Sequence, residues 1–305
     1  MKPETNSLAN QRFAVIDIGS NTFHLIIVDA QRSGRFEIIH RHREFVYLAK
    51  DGIEFLSSAT IERGFMAFAK ISELCHKFKA EQIKAIGSAA LRSASNANDF
   101  VDLIHSEYDI QIEVISGLRE ARLIYEGVVL SGIQMMNPSL IVDIGGGSVE
   151  FIIVANGSIT FFNSYNIGIS ALRHRFPHRD PIDQLEIARI YAYLDSILEE
   201  FLDKAVNVGI STLIGSSGPF EIIESMAQAK PYEPIHRDKI KAIALKILSQ
   251  PLFGRLSMYR MPEGRADLSV ESLLIINYLL DRILSINNAL ISPYALKEGV
   301  ISEMI

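Results

Sequence analysis

Two acidic residues, Asp17 and Asp143, each stand directly before a glycine-rich turn, and both turns belong to a twelve-residue stretch that occurs twice. The copies run from Asp17 to Val28 and from Asp143 to Val154, and six of the twelve positions are identical. Apolar, β-branched runs lie on both sides of each turn. Each copy is therefore predicted to form a β-hairpin with an acid at the end of its first strand.

The two turns carry residue types that bind phosphate. Glycines are expected to take positive φ and to point successive N–H groups into one concavity, where an anion binds. Hydroxyl groups add further donors. One such hairpin alone is better explained as an ordinary tight turn, but two in one chain favour phosphate binding. The predicted phosphate-binding residues of the turns are Ser20, Asn21, Thr22, Gly145, Gly146, Gly147 and Ser148.

A carboxylate beside an anion site repels phosphate unless a cation lies between them. Asp17 and Asp143 therefore predict a divalent metal, Mg²⁺ or Mn²⁺, held through oxygen ligands and water. Glu150 follows the second turn and is predicted to be a third metal ligand, with a solvent-facing strand residue as the alternative. His24 occupies the matching position in the first copy, where a hydrogen bond to phosphate and one to the backbone are equally open.

Four further motifs follow in order along the chain. Together with the two turns, they resemble the exopolyphosphatase/guanosine pentaphosphate phosphohydrolase family of the actin-like superfamily, in its short two-domain form. The resemblance spans nearly the whole chain and implies an α/β fold of two tandem actin-like (ribonuclease H-like) domains. Each would be a mixed sheet flanked by helices, with the active-site cleft between them. The motifs are Gly87–Arg92, Ser116–Leu123, Gly215–Gly218 and Leu296–Gly299.

The resemblance also implies roles for particular residues. Glu120 matches the family's Glu-Ala-Arg-Leu motif, whose Glu is the general base that takes a proton from the attacking water. Without the motif match, the sequence would favour Glu120 as a helix N-terminal acid that complements the helix dipole; the match reverses that preference. Arg92, which is expected to point toward the first hairpin, and Ser216 are predicted to contact phosphate. Lys297 stands where the family usually has Arg, so it keeps the charge but loses the planar fork.

Two other positions depart from the family pattern. Arg119 replaces an acid that often precedes the catalytic Glu, and Pro219 replaces a small hydroxyl residue and removes a backbone N–H. These departures leave Glu120 in place but put the substrate preference in doubt. A homodimer is also implied by the resemblance, and a monovalent cation is a further candidate cofactor.

The length of 305 residues predicts two domains, at 1–128 and 129–292, with a C-terminal helix at about 293–305 that packs back on the first. The formal net charge of −6 argues against nucleic-acid binding but not against a polyanionic ligand. The single cysteine, Cys75, and the absence of a signal-like or membrane-spanning run predict a cytoplasmic protein. The basic run His40–Arg43 is either a solvated strand edge or part of an anion channel.

Apolar periodicity predicts a helix over 58–78 with Ser58 as its N-cap, and a helix from Ser116 to about Leu130. Further helices are predicted over 181–204 and 292–305. Asn156-Gly157 predicts a tight hairpin turn in the second domain.

Three functions remain open. The leading one is a metal-dependent phosphohydrolase that releases terminal phosphate from inorganic polyphosphate, guanosine pentaphosphate or both. The second is an actin-like ATPase or kinase, which would need a nucleoside pocket near Gly215–Gly218. The third is a sensor that binds guanosine tetra- or pentaphosphate with little turnover.

Overall fold

A computed structural model describes residues 11–31, 35–50 and 52–305, so the N-terminal tail over 1–10 lies outside the described residues. The N-terminal half contains a five-stranded mixed sheet of order β3-β2-β1-β4-β5. The first three strands form an antiparallel meander, and the last two run parallel to β1. The strands are β1 (Gln11–Ile18), β2 (Thr22–Ala30), β3 (Phe36–Phe45), β4 (Gln82–Gly87) and β5 (Ile112–Val114).

The described part of this half contains the helices α1 (Ser58–Lys77), α2 (Ala89–Ser93), α3 (Ala97–Tyr108) and α4 (Gly117–Leu130). The predicted cap of α1 was wrong by one residue, because the Ser57 hydroxyl accepts the hydrogen bond from the Thr60 N–H. The start of α4 is confirmed, and the Ser116 hydroxyl accepts a hydrogen bond from the Arg119 N–H. This cap fixes the first turn of α4, which carries Glu120.

The second half repeats the topology of the first. Its sheet has the order β10-β11-β9-β6-β7-β8, in which β8-β7-β6-β9-β11 corresponds to β3-β2-β1-β4-β5. The predicted hairpin turn is confirmed, with φ of 52° at Asn156 and 73° at Gly157. The duplicated sequence has therefore produced a duplicated mixed sheet. The strands are β6 (Ser139–Ile144), β7 (Val149–Ala155), β8 (Ser158–Tyr165), β9 (Thr212–Gly215), β10 (Ile235–His236) and β11 (Asn288–Ile291).

The helices of the second half differ from prediction at two places. The segment 181–204 holds two helices that meet at Leu198, and the first is capped by the Asp183 side chain. The final helix covers seven residues rather than the whole of 292–305. The helices are α5 (Ile169–Arg175), α6 (Gln184–Ile197), α7 (Glu199–Val208), α8 (Gly218–Ala227), α9 (Arg237–Leu248), α10 (Leu252–Leu256), α11 (Ser269–Arg282) and α12 (Leu296–Ser302).

Helices α4 and α12 share one apolar core with residues from both sheets. They cross at very short range, since a methyl group at Gly299 would lie 1.8 Å from the Leu123 carbonyl oxygen. A methyl group at Gly127 would lie 1.9 Å from the Ala295 carbonyl oxygen. This crossing sets α4, which carries Glu120, against α12, which carries Lys297.

The predicted fold class, two mixed sheets flanked by helices, is confirmed, and the exact domain boundaries stay a prediction. Within the described residues, no helix has both the length and the apolar character that crossing a membrane requires.

Candidate active site

The two glycine-rich turns connect β1 to β2 and β6 to β7, and each is closed by the same hydrogen bond. The Gly19 N–H donates to the Thr22 carbonyl at 3.1 Å, and the Gly145 N–H donates to the Ser148 carbonyl at 2.9 Å. β1 and β6 are interior strands of their sheets, with neighbours on both sides. The two turns therefore start from strands that are held by hydrogen bonds on both edges.

The glycines of these turns do not take positive φ, so the expected reason for their presence was wrong. They are needed because the two turns approach each other closely. A methyl group at Gly146 would lie 2.8 Å from the Asn21 side chain, and one at Gly147 would lie 2.8 Å from the Ser20 hydroxyl. Any side chain at either position would push the two hairpins apart.

The backbone donors of the turns are available to a ligand. The carbonyls of the second turn accept hydrogen bonds from N–H groups at the start of α5, including Ile169 to Gly145 at 3.0 Å. No hydrogen bond within the described part of the chain uses the N–H of Ser20, Asn21, Gly146 or Gly147. Buried N–H groups are rarely left unpaired, so these four are suited to hold an anion.

A cleft of about 620 Å³ lies between the two turns and is closed at one side by α12. Most of the predicted site residues line it, whereas Arg92 and Glu150 do not. The predicted residues that line it are Asp17, Ser20, Asn21, Thr22, Glu120, Asp143, Gly145, Gly146, Gly147, Ser148, Ser216 and Lys297.

Glu120 is 6% exposed and lies one turn into α4. Burial raises the pKa of Glu120 to about 7, and the charges of Asp17 and Asp143 add to this rise. The Arg92 guanidinium opposes it, because its Nη1 lies 3.0 Å from Glu120 Oε2. A carboxylate with a pKa of about 7 can gain and lose a proton near neutral pH, as a general base requires.

Arg92 does not point toward the first hairpin, contrary to expectation. Its Nη1 donates to Glu120 and to the Ile115 carbonyl, both at 3.0 Å. Arg92 can make both contacts because α2 follows β4 directly and faces the start of α4. Arg92 therefore lies behind Glu120, where it stabilises the ionised form of that carboxylate.

Asp17 and Asp143 both reach the cleft from the ends of their strands. Burial raises the pKa of Asp17 to about 6, with Lys297 opposing the rise and Asp143 adding to it. Burial also raises the pKa of Asp143, against a hydrogen bond that the Ser216 hydroxyl donates to its Oδ2 at 2.8 Å. Two carboxylates whose negative charge is poorly compensated are suited to a divalent cation.

Glu150 is 1% exposed and lies directly opposite Asp143 in the β6–β7 pairing. Its Oε1 accepts hydrogen bonds from the Ser148 hydroxyl at 2.7 Å and from the Ser164 hydroxyl at 2.6 Å. Burial raises the pKa of Glu150 well above its ordinary value, and the nearby Glu120 adds to the rise.

Among the described residues, no three carboxylate, histidine or cysteine side chains converge on one possible metal position. The set of Asp17, Asp143 and Glu150 therefore stays a prediction, and the cleft position of the two aspartates favours them within it. The chemistry of these two donors fits Mg²⁺, which proteins often bind through one or two carboxylates together with substrate phosphates.

His24 lies opposite Asp17 in the β1–β2 pairing, at the position that Glu150 occupies in the second hairpin. Burial lowers its pKa well below the ordinary value, and the charge of Lys297 lowers it further. His24 is therefore neutral at physiological pH and offers one ring donor and one ring acceptor to the cleft.

Three arginines also line the cleft. Arg41 and Arg43 belong to the basic run on β3, which the sequence left open as either part of an anion channel or a solvated strand edge. Arg41 Nη1 lies 3.2 Å from Glu298 Oε1, and Arg43 Nη1 lies 3.3 Å from Glu221 Oε2. Sequence reasoning missed Arg265, because it lies in none of the motifs and reaches the cleft only through the fold.

The departures from the family pattern have separate structural consequences. Arg119 is not directed at the cleft; it pairs with Glu303 at 2.8 Å and with Glu113 at 3.1 Å. Pro219 lies in the first turn of α8, where helix N–H groups lack an intrahelical partner in any case. Lys297 and Pro219 both line the cleft, so these two departures change groups there, whereas Arg119 does not.

Known proteins resemble this chain in both sequence and fold. A family model described as the Ppx/GppA phosphatase family matches residues 26–305. A crystal structure of an exopolyphosphatase from Cytophaga hutchinsonii is 31% identical, with a TM-score of 0.90 over 96% of this chain and 97% of that chain. The Aquifex aeolicus PPX-GPPA enzyme shares the fold at 24% identity, with a TM-score of 0.77 over 96% of this chain and 99% of that chain.

A guanosine-5'-triphosphate,3'-diphosphate pyrophosphatase from Aeromonas salmonicida is 29% identical over 295 residues, which are 95% of this chain. The match covers 58% of that relative's length. On the evidence of the family model and of the exopolyphosphatase structure, the chain belongs to the Ppx/GppA phosphatase family.

Proposed function

We propose that the protein is a metal-dependent phosphoric anhydride hydrolase that releases terminal phosphate from inorganic polyphosphate, guanosine pentaphosphate or both. One observation carries the proposal. A buried carboxylate with a pKa of about 7, Glu120, borders a cleft between two turns whose N–H groups have no partner within the described residues. The names of the relatives, an exopolyphosphatase and a guanosine-5'-triphosphate,3'-diphosphate pyrophosphatase, support the same reaction class.

The reaction requires a water molecule in line with the terminal phosphoanhydride bond. Glu120 takes a proton from this water as its oxygen bonds to the terminal phosphorus. The anhydride bond then breaks, and orthophosphate leaves together with a phosphate chain that is one unit shorter. Arg92 contributes by holding Glu120 in one orientation and in its ionised form between turnovers.

Asp17 and Asp143 would hold Mg²⁺ or Mn²⁺ in this cleft, with Glu150 as the predicted third carboxylate. When bound, the metal ion spreads the negative charge that develops on the transferred phosphoryl group. The protein's own residues bind the rest of the chain. The N–H groups of the two turns and the Ser216 hydroxyl supply donors, and Lys297 supplies a positive charge.

The charge distribution supports a polyanionic substrate. The protein has a formal net charge of −6, yet Arg41, Arg43, Arg265 and Lys297 are gathered at one cleft. The same cleft holds Asp17, Glu120 and Asp143, so it offers positive groups to phosphate oxygens and carboxylates to a cation that travels with them. The proposal further includes a homodimer in the cytoplasm, with a monovalent cation as a second candidate ion, and these parts rest on the sequence resemblance.

Orthophosphate release from polyphosphates of several lengths and from guanosine pentaphosphate tests the proposal, with Mg²⁺ or with a chelator. We expect release from at least one substrate that stops when the chelator is added. If the wild type releases phosphate from neither but binds guanosine tetra- and pentaphosphate tightly, it is a sensor. If it releases phosphate from ATP alone, it is an actin-like ATPase.

A further inference from the structure

Strand β8 brings Ser164 against Glu150. The two residues lie directly opposite each other in the β7–β8 pairing, and the Ser164 hydroxyl donates to Glu150 Oε1 at 2.6 Å. The Ser148 hydroxyl, from the second turn, donates to the same oxygen at 2.7 Å. Glu150 is thus fixed from two sides, by the phosphate-binding turn and by the next strand of the sheet.

Ser164 also packs closely against the start of α4. A methyl group at Gly117, the first residue of that helix, would lie 2.5 Å from Ser164 Cβ and 2.7 Å from its hydroxyl oxygen. The same point lies 3.8 Å from the guanidinium of Arg92, which contacts Glu120. Glycine at 117 is therefore required by close packing, and Ser164 sets how near β8 lies to the helix that carries Glu120.

These contacts form one chain of neighbours from the second turn to the general base. Ser148 and Ser164 hold Glu150, Ser164 abuts Gly117 at the start of α4, and Glu120 lies in the same first turn of that helix. Glu150 is 1% exposed and is not among the residues that line the cleft, so the two serine hydroxyls that it accepts from fix its orientation.

We propose that Ser164 is a positioning residue of the active site, which orients Glu150 through its hydroxyl and the Glu120 helix through its packing on Gly117. The inference rests on the proposed phosphohydrolase function. Ser164 is expected to affect the chemical step rather than substrate binding, because it belongs to neither turn and is not among the residues that line the cleft.

The substitution Ser164→Ala removes the hydroxyl and keeps Cβ. We expect kcat for phosphate release to fall about 10-fold, as the loss of one buried hydrogen bond allows. KM should change less than about 2-fold, since the substitution leaves in place the contacts that bind the ground state and the transition state equally. Thr160→Val is the matched control, because the Thr160 hydroxyl on the same strand donates to the Ile153 carbonyl and lies away from the site.

A second variant, Gly117→Ala, keeps the Ser164 hydroxyl but displaces it, and should lower kcat in the same way. Thermal unfolding of each variant checks that the lower kcat does not come from a loss of folded protein. An unchanged kcat in Ser164→Ala would overturn the inference.

A double-mutant cycle with Glu150→Gln tests whether Ser164 acts through Glu150. Ser164→Ala should cost little further activity once Glu150 has been replaced. Independent, multiplying losses would overturn the inference. A wild type that is inactive on polyphosphate and guanosine pentaphosphate overturns the proposed function and this inference together, whereas an active wild type with an unaffected Ser164→Ala variant overturns the inference alone.

Discussion

The first and second hairpins share their strand order, the hydrogen bond that closes the turn and an aspartate at the same position, but their surroundings differ in charge. In the first hairpin, Asp17 lies opposite a neutral histidine, His24, close to Lys297 and to three arginines. In the second, Asp143 lies opposite Glu150, and serine hydroxyls bind both carboxyl groups.

This difference indicates that the two copies of one structural unit have different roles. The first copy presents its donors in a positive environment, which suits the binding of phosphate oxygens. The second concentrates carboxyl groups with raised pKa values next to Glu120, the proposed general base, which suits metal binding and proton transfer. Glu120 lies where the two meet, and aspartates from both hairpins raise its pKa.

The substitution expected to have the largest effect is Glu120→Gln, because both hairpins act on this group. Removal of a general base typically costs about 10²–10⁴-fold in rate, and we expect a kcat loss in this range. In the wild type, kcat should rise with pH through about 7, since a base acts only when deprotonated and the pKa of Glu120 is about 7. Initial rates of phosphate release between pH 5 and 9, read on the log scale, measure both effects.

Glu126→Gln is the matched control for this variant. Glu126 lies on the same helix and pairs with Arg122 at the surface, outside the cleft. Full activity in Glu120→Gln, or a wild-type rate that falls as pH rises from 6 to 8, would contradict the assignment of the base.

The sequence predicted the hairpins, the mixed sheets and most of the cleft residues because these depend on local pattern. A glycine-rich turn between β-branched runs is readable from a dozen residues, and its duplication was visible as six identities. The resemblance to a family singled out Glu120, which lines the cleft, whereas local pattern alone would have left it as an ordinary acid at the start of a helix.

What the sequence missed depends on contacts between distant segments. The glycines of the turns are required by the approach of the other hairpin, which no local rule contains. Arg92 pairs with Glu120 because α2 packs against the start of α4. Arg265 reaches the cleft from a segment without a motif, and its ion pair with Glu221 at 3.0 Å joins two elements far apart in sequence.

The next largest effect is expected for Gly147→Ala, which tests whether the two hairpins must touch. The added methyl group would lie 2.5 Å from Ile53 and 2.8 Å from both Ala89 and the Ser20 hydroxyl, so it would push the turns apart. A displacement of about 1 Å in an active site can cost about 100-fold in rate, and we expect kcat/KM to fall by this order.

Gly145→Ala provides the comparison within the same turn. Its methyl group would meet only the Ser148 carbonyl oxygen, at 3.1 Å, which is a milder contact. Its loss of kcat/KM should be clearly smaller. Equal losses in the two variants would mean that backbone freedom, rather than contact between the hairpins, explains the glycines.

The smallest expected effect concerns stability, and it separates the two aspartates. Burial raises the pKa of Asp17 from its ordinary value of 3.8 to about 6, so between these values the folded protein binds more protons than the unfolded chain. The charged carboxylate therefore destabilises the fold above about pH 6, and this cost disappears below about pH 4. A shift of two pKa units corresponds to at most about 3 kcal/mol.

Asp17→Asn should therefore raise the midpoint of thermal unfolding at pH 8 by a few degrees and leave it nearly unchanged at pH 4, when measured with a chelator. Asp143→Asn should gain less at pH 8, because the Ser216 hydroxyl donates more strongly to the carboxylate than to an amide. Equal increases in the unfolding midpoint of the two variants would show that the Ser216 hydroxyl does not stabilise the Asp143 carboxylate. The two hairpins would then not differ in how they stabilise their aspartates.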